Sequence, residues 1–227
     1  LKFSWIMKNT HDSAAAANPV TDLINRDTGE LNVLYLPGYP KVVRFDASRG
    51  IFTDDEKNPV TKAKAPFTIK PVAFRVFRDD ILGMGPKRWA EFFFINEEGV
   101  LCNLLVHGYS VDNLMTVTPK LFYQKANLCQ VALTFTPVEK VSKATEAAGK
   151  KYFMCQFAAQ KLPDEEIELN AAIGKALPIW RKDTFSGDAC VELSINYRPP
   201  VFASAEEVAE EYPAEVEIVT ETEIVNA

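Results

Sequence analysis

Seven residues between positions 70 and 89 are of types that can bind a polyanion. Lys70, Arg75, Arg78, Lys87 and Arg88 are cations, and Phe77 and Trp89 are rings set among them. Cations at such spacing can pair with phosphates, while interleaved rings stack on bases freed from pairing. Alternation along a strand puts Phe77 on the same face as Arg75, as a ring flanked by charge requires. Tyr109 extends this set, and Trp180-Arg181 forms a second, smaller one. The competing reading is structural: Phe77 and Trp89 belong to a core, and the cations form a solvated face. The charge excess is local, since residues 57–90 hold eight basic and two acidic side chains, a net of +6.

Catalytic chemistry finds little to work with. His107 is one of two histidines and the only one outside the first 18 residues. A nucleophile–base pair would need it beside a Cys or Ser, with a third group to orient it. Cys102 lies five positions away on the same apolar run, so alternation turns the two side chains to opposite faces. Asp54-Asp55-Glu56 and Asp79-Asp80 are acidic clusters at expected loops, with solvated carboxylates as the default reading. Gly83-Met84-Gly85-Pro86 has proline where a phosphate-cradling glycine loop continues. The four cysteines, Cys102, Cys129, Cys155 and Cys190, are 25 or more residues apart and have no C-x-x-C pair. Neither a metal site nor a cofactor is expected, and reduced, mostly buried thiols of a cytoplasmic protein are.

The elements that must position these residues are mostly strands. Trp89–Tyr109 holds two apolar runs around Asn96-Glu97-Glu98-Gly99, the signature of a hairpin. Apolar residues on both faces of these runs indicate strands covered on both sides. Phe67–Phe77 reads as one long strand, Leu31–Leu36 and Lys41–Phe45 as shorter ones, and 53–66 as a loop. Gln130–Val138 and Tyr152–Ala159 alternate well enough for a second hairpin, with a turn at 144–149. Ala189–Tyr197 alternates with Val191, Leu193, Ile195 and Tyr197 inward. Ser110–Leu121 can hold a short helical turn capped by Asp112 or Ser110. Asp164–Leu177 is the clearest helix, capped by Asp164, stopped by Pro178 and interrupted by Gly174.

At 227 residues the chain can bury a sizeable core. No apolar run approaches the ~20 residues that span a bilayer. The net charge of −6 conceals an asymmetry: residues 203–227 carry eight Glu and no Lys or Arg. The remainder has 23 acidic and 25 basic side chains, a net of +2. Four segments are expected: an arm at 1–18, a β extension at 19–66, a β domain at 67–202, and an acidic tail at 203–227 too charged to fold alone.

Over residues 67–227 this arrangement resembles phage- or plasmid-type single-stranded-DNA-binding proteins: hairpins of a β-barrel body, a basic–aromatic strand and an acidic C-terminal tail. The tail departs from that pattern, ending in Ile224-Val225-Asn226-Ala227. The resemblance implies an oligonucleotide-binding-type barrel of five or six strands, with an added N-terminal β element and one helix near 164–177. It implies non-enzymatic binding of single-stranded DNA through Lys70, Arg75, Phe77, Arg78, Lys87, Arg88, Trp89, Tyr109, Trp180 and Arg181. It also implies a cytoplasmic site of action and replication or recombination partners reached through the tail, and it leaves the oligomeric state open. The alternative is a β-rich virion or assembly protein making protein–protein contacts.

Overall fold

The computed structural model describes Leu23 and residues 31–81, 83, 85–142 and 149–200. The expected arm, the turn at 144–148 and the acidic tail lie outside these residues. In chain order the elements are β1 (Lys41–Asp46), β2 (Ile51–Asp54), β3 (Phe67–Ile69), β4 (Pro71–Asp79), β5 (Lys87–Ile95), β6 (Leu101–His107), α1 (Tyr109–Tyr123), β7 (Val131–Val141), β8 (Lys151–Lys161), α2 (Asp164–Ala176) and β9 (Cys190–Ile195). The protein is mainly β. One sheet has the order β2-β1-β6-β5-β4-β9 and the other the order β3-β7-β8.

Only Lys70 separates β3 from β4. The strand expected over Phe67–Phe77 therefore bends and serves both sheets. Pro71 supplies the reason: it has no N–H for the ladder, and the β4–β5 register shifts between Pro71 and Ala73. Beyond the bend, Phe74 and Val76 enter an inner core with Phe92, Leu104, Leu114, Leu133 and Phe135. Edge-to-face ring pairs such as Phe92–Phe135, at 5.3 Å and 89°, add ~0.5–1.5 kcal/mol each beyond area burial. The opposite face of β4–β6 is buried as well. Ala73, Phe93 and Leu101 pack with Ile173 of α2 and with Ile179, and Phe77 packs with Ile81 and Trp89.

The sheets do not close into the expected barrel, because β6 pairs with β1 in parallel and not with β8. The backbone of β8 is satisfied by other groups. Ser110 Oγ accepts from Cys155 N at 3.0 Å, and Asn113 Nδ2 donates to Cys155 O at 2.8 Å. Phe153 N donates to Ala47 O in the β1–β2 turn at 2.7 Å. These bonds correct the expected cap on α1: Ser110 serves β8, while Gly108, at φ 60°, begins the helix without a side-chain cap.

Four further expectations change. The short helical turn is a 15-residue helix, so the described residues hold two helices where one was expected. Leu31–Leu36 is not a strand but a run tied by single bridges, Leu34 to Val100 and Leu36 to Tyr39. Asp164 lies in the first turn of α2, with Pro163 as its N-cap, so its charge meets the helix dipole without capping it. Val191, expected inward, is exposed.

Candidate nucleic-acid interface

The residues expected to form one binding surface are divided between a buried network and scattered surface positions. Phe77 is 0% and Trp89 2% exposed. Both lie on the outer face of β4–β5, paired in register and covered, so neither can stack on a base in this fold. Trp89 is held from both sides: Nε1 donates to Asp79 O at 3.0 Å, and the His107 ring lies 4.8 Å away. These two are structural residues, which corrects the expected stacking platform.

Arg75 is also buried, and its guanidinium carbon sits 3.8 Å from the Phe77 ring and 4.1 Å from the Tyr197 ring. Its Nε donates to Glu91 Oε2 at 2.8 Å, and its Nη2 donates to Thr184 O. Glu91 also accepts from Asn103 Nδ2 and Thr184 Oγ1, each at 2.8 Å. Arg181 Nη1 donates to Asn103 Oδ1 at 2.9 Å, and its Nη2 to Asp183 Oδ2 at 3.1 Å. Burying an ion pair is favourable only when hydrogen bonds satisfy its remaining atoms, and here they do. The network fastens residues 179–185 over β5 and β6, so Arg75 and Arg181 act as internal clamps and not as phosphate contacts.

Trp180 belongs to the same strap. Its ring packs on Gly38, where an added Cβ would lie 2.7 Å from Trp180 Cζ2. Tyr35 OH accepts from Gly38 N and Trp180 N at 3.0 and 3.1 Å and donates to Trp180 O at 2.9 Å. Burial raises the Tyr35 phenol above its ordinary pKa, so it keeps the proton this bond needs.

The remaining cations differ in freedom. Glu192 on β9 accepts from Arg78 Nε at 2.7 Å and from Arg88 Nε at 2.8 Å. The Arg88 bond, then the Arg78 bond, hold the Glu192 carboxyl below the usual carboxylate range. Two positive charges are thus partly offset by one negative. Lys70 Nζ pairs with Glu166 Oε2 at 2.6 Å. Lys87 is half-buried, and it forms no ion pair among the described residues. Tyr109 is exposed at the start of α1.

The sequence reading passed over Arg44. It is exposed on β1, and the register sets it beside Leu105 of β6, two positions from His107. Partial burial of the His107 ring, then the Lys87 charge, lower its pKa, so it presents a neutral ring at neutral pH. Also passed over were Phe122 and Tyr123, both exposed at the end of α1. Helical spacing from Leu114 and Leu121 gave a signal for Tyr123, which it turns away from the core, but not for Phe122, which falls within ~20° of Val111 around the helix.

The thiols are free, with Cys102, Cys129 and Cys155 buried. Burial pushes Cys102 up to about 11 and Cys129 and Cys155 up to about 12, so all three stay protonated and poorly nucleophilic at neutral pH. Cys102 lies in the inner core and His107 on the outer face. Among the described residues no group of three His, Cys, Asp or Glu side chains could hold a metal ion, and no helix is long and apolar enough to cross a membrane. No protein-family model, curated protein or solved structure matches the chain.

Proposed function

We propose that this protein binds single-stranded DNA without catalysing a reaction, on a partly open oligonucleotide-binding-type barrel. One observation carries the reading. With β3 and β4 taken as one bent strand, the neighbours run β8-β7-β3/β4-β5-β6, with α1 between β6 and β7. Numbered from the bent strand, this order, 5-4-1-2-3, supports a five-stranded Greek-key barrel of the class in which the face of strands 2 and 3 binds oligonucleotides. The corresponding face here is that of β5 and β6. The strap at 179–185 covers one end of it. The other end carries Arg44, Lys87, Leu105 and His107, with Tyr109 following directly in the chain. The exposed Lys140 and Lys150, near the end of the β7–β8 hairpin, add charge. Trp89 and Phe77 adjoin this surface on the same face, where they are buried.

Fluorescence anisotropy with labelled single-stranded and duplex oligonucleotides, at two salt concentrations, tests the reading. The single strand binds more tightly, and its affinity falls with salt as counterions are released. Substituting Arg44 and Lys87 together by Ala weakens binding and flattens the salt slope. Absence of binding at low salt, or equal affinity for both forms, overturns it.

A second reading, contact with another protein in an assembly, is favoured by one feature. Leu34, Leu36 and Tyr39 are exposed along a groove of about 510 Å³ that is also lined by Pro40, Val42 and Val100. Apolar association there would not weaken steeply with salt.

A further inference from the structure

The last turn of α1 has the chemistry that Phe77 and Trp89 were expected to supply. Its inner face is fixed by Val111, Leu114 and Leu121, all buried. Tyr123, ~200° around the helix from Leu121, points away from that face, and Phe122, at ~100°, lies at its margin where the helix ends. Phe122 is 75% and Tyr123 85% exposed, the most exposed large apolar side chains among the described residues. Lys120 precedes them and Lys125 follows, both exposed and neither in an ion pair among the described residues. From Asn113 to Gln130 the chain contains these two lysines and no acidic residue.

The geometry of the turn is fixed. Gln124 N donates to Leu121 O at 3.0 Å, Lys125 N to Phe122 O at 2.9 Å, and Ala126 N to Leu121 O at 2.9 Å. Lys125 adopts φ 53°, a left-handed conformation that ends the helix. The two ring centroids lie 5.7 Å apart with planes crossed at 78°. An edge-to-face pair covers one ring face in all, whereas parallel stacking would cover one face of each ring.

Lysines near a helix C-terminus have an ordinary explanation, since they offset its partial negative charge. That accounts for Lys120 and Lys125 but not for two neighbouring rings held in water, where they gain nothing from burial. Exposed apolar surface beside charge marks a contact site. Positive flanks with no acid, and ring faces that accept any base, match single-stranded nucleic acid better than an apolar protein surface. Asp112 carries negative charge near the first turn of α1, which confines the site to the last turn.

We propose that Phe122 and Tyr123 stack on bases of single-stranded nucleic acid while Lys120 and Lys125 contact its phosphates. This rests on the function proposed above and adds a second contact to it, ~20 Å along α1 from Tyr109.

The test uses the full chain and a fluorescein-labelled oligothymidine of twenty nucleotides. Replacing Phe122 and Tyr123 together by Ala weakens binding about tenfold or more, since one stacked base is worth ~1–3 kcal/mol and ~1.4 kcal/mol is tenfold. The melting temperature stays within about 2 °C, because the rings touch little of the core. Tyr123→Phe retains binding. Replacing Lys120 and Lys125 by Ala lowers the salt slope by about 1.4, from ~0.7 per phosphate. If the wild-type chain binds and the double ring variant binds within twofold of it, this inference is overturned while the proposed function stands. If the ring variant instead loses self-association in sedimentation with oligonucleotide affinity unchanged, the patch is a protein contact and the inference is likewise overturned. If the wild-type chain binds no oligonucleotide, both fall.

Discussion

Individual side chains here are committed by what buries them. Phe77 and Trp89 have the types and spacing of a stacking pair, yet the sheet is covered on both faces and both rings lie under that cover. Replacing either by Ala is expected to cost ~3–5 kcal/mol of stability in urea unfolding, with oligonucleotide affinity of the folded fraction unchanged. A loss of affinity at unchanged stability would return them to the binding surface. Arg75 was legible as a cation but not as a buried one, because its partner Glu91 is 16 positions away and Thr184 is 109 away. Alternation shows which residues share a face of a strand, not which distant segment covers that face. Asp46 gives a pH prediction. Its carboxylate accepts from Ser48 Oγ at 2.6 Å and Arg49 Nε at 2.6 Å, closing the β1–β2 turn. The Ser48 bond first, then Arg49, hold its pKa down at about 2, below the ordinary 3.8. A depressed carboxylate contributes stability above the unfolded value and loses it as pH falls through the folded one. Urea midpoints should therefore drop between about pH 4 and pH 2, and Asp46→Ala should be less stable at pH 6 with a smaller drop over that interval.

At the scale of elements, the hairpin β5–β6 was legible from two apolar runs around a Gly-containing break, and β7–β8 from its alternation. Helix α1 was shortened in the reading for a physical reason. Val111, Thr116, Val117 and Thr118 have modest helix propensity, and Pro119 removes a donor. Packing of Val111, Leu114 and Leu121 outweighs that, with Thr118 Oγ1 donating to Leu114 O at 3.3 Å. The bend at Lys70 was also hidden, since strand formers run on both sides of it and Pro71 does begin a strand, β4. Gly174 looked like a flaw in α2, but an added Cβ would lie 2.1 Å from Asn196 Nδ2. Asn196 sits at φ 57° and donates to Val72 O at 2.8 Å, linking the residue after β9 to β4 beneath the helix. Helix propensity alone favours Gly174→Ala by ~1 kcal/mol. The clash should win, and Gly174→Ala should lower the melting temperature. A higher melting temperature would mean that Asn196 moves aside at no cost.

Across the whole molecule, charge is divided unevenly between the body and the segment that follows it. Residues 203–227 carry eight Glu and no Lys or Arg, and the rest of the chain has a net of +2. In the body, acids already answer several cations: Glu192 holds Arg78 and Arg88, Glu166 holds Lys70, and Glu139 holds Lys64 and Lys151. Among the described residues, the cations outside ion pairs, Arg44, Lys57, Lys62, Lys87, Lys120, Lys125, Lys140, Lys150, Lys175, Lys182 and Arg198, are spread over several elements and loops. A binding surface of that kind is sensitive to an added block of negative charge on the same chain. Removing 203–227 takes the net charge from −6 to +2, which favours approach of a nucleic acid. The truncated chain should bind single-stranded oligonucleotide more tightly than the full chain at low salt. The gain should shrink as salt rises, because the Debye length falls from ~10 Å at 0.1 M to ~3 Å at 1 M. Anisotropy titrations of both chains across that range, with melting curves alongside, give the answer. A truncated chain as stable as the full one that binds no better would show that the tail's charge does not act on the binding surface. A sharp fall in melting temperature would instead assign the Val216–Glu221 stretch, with its alternating β-branched residues, to the fold itself.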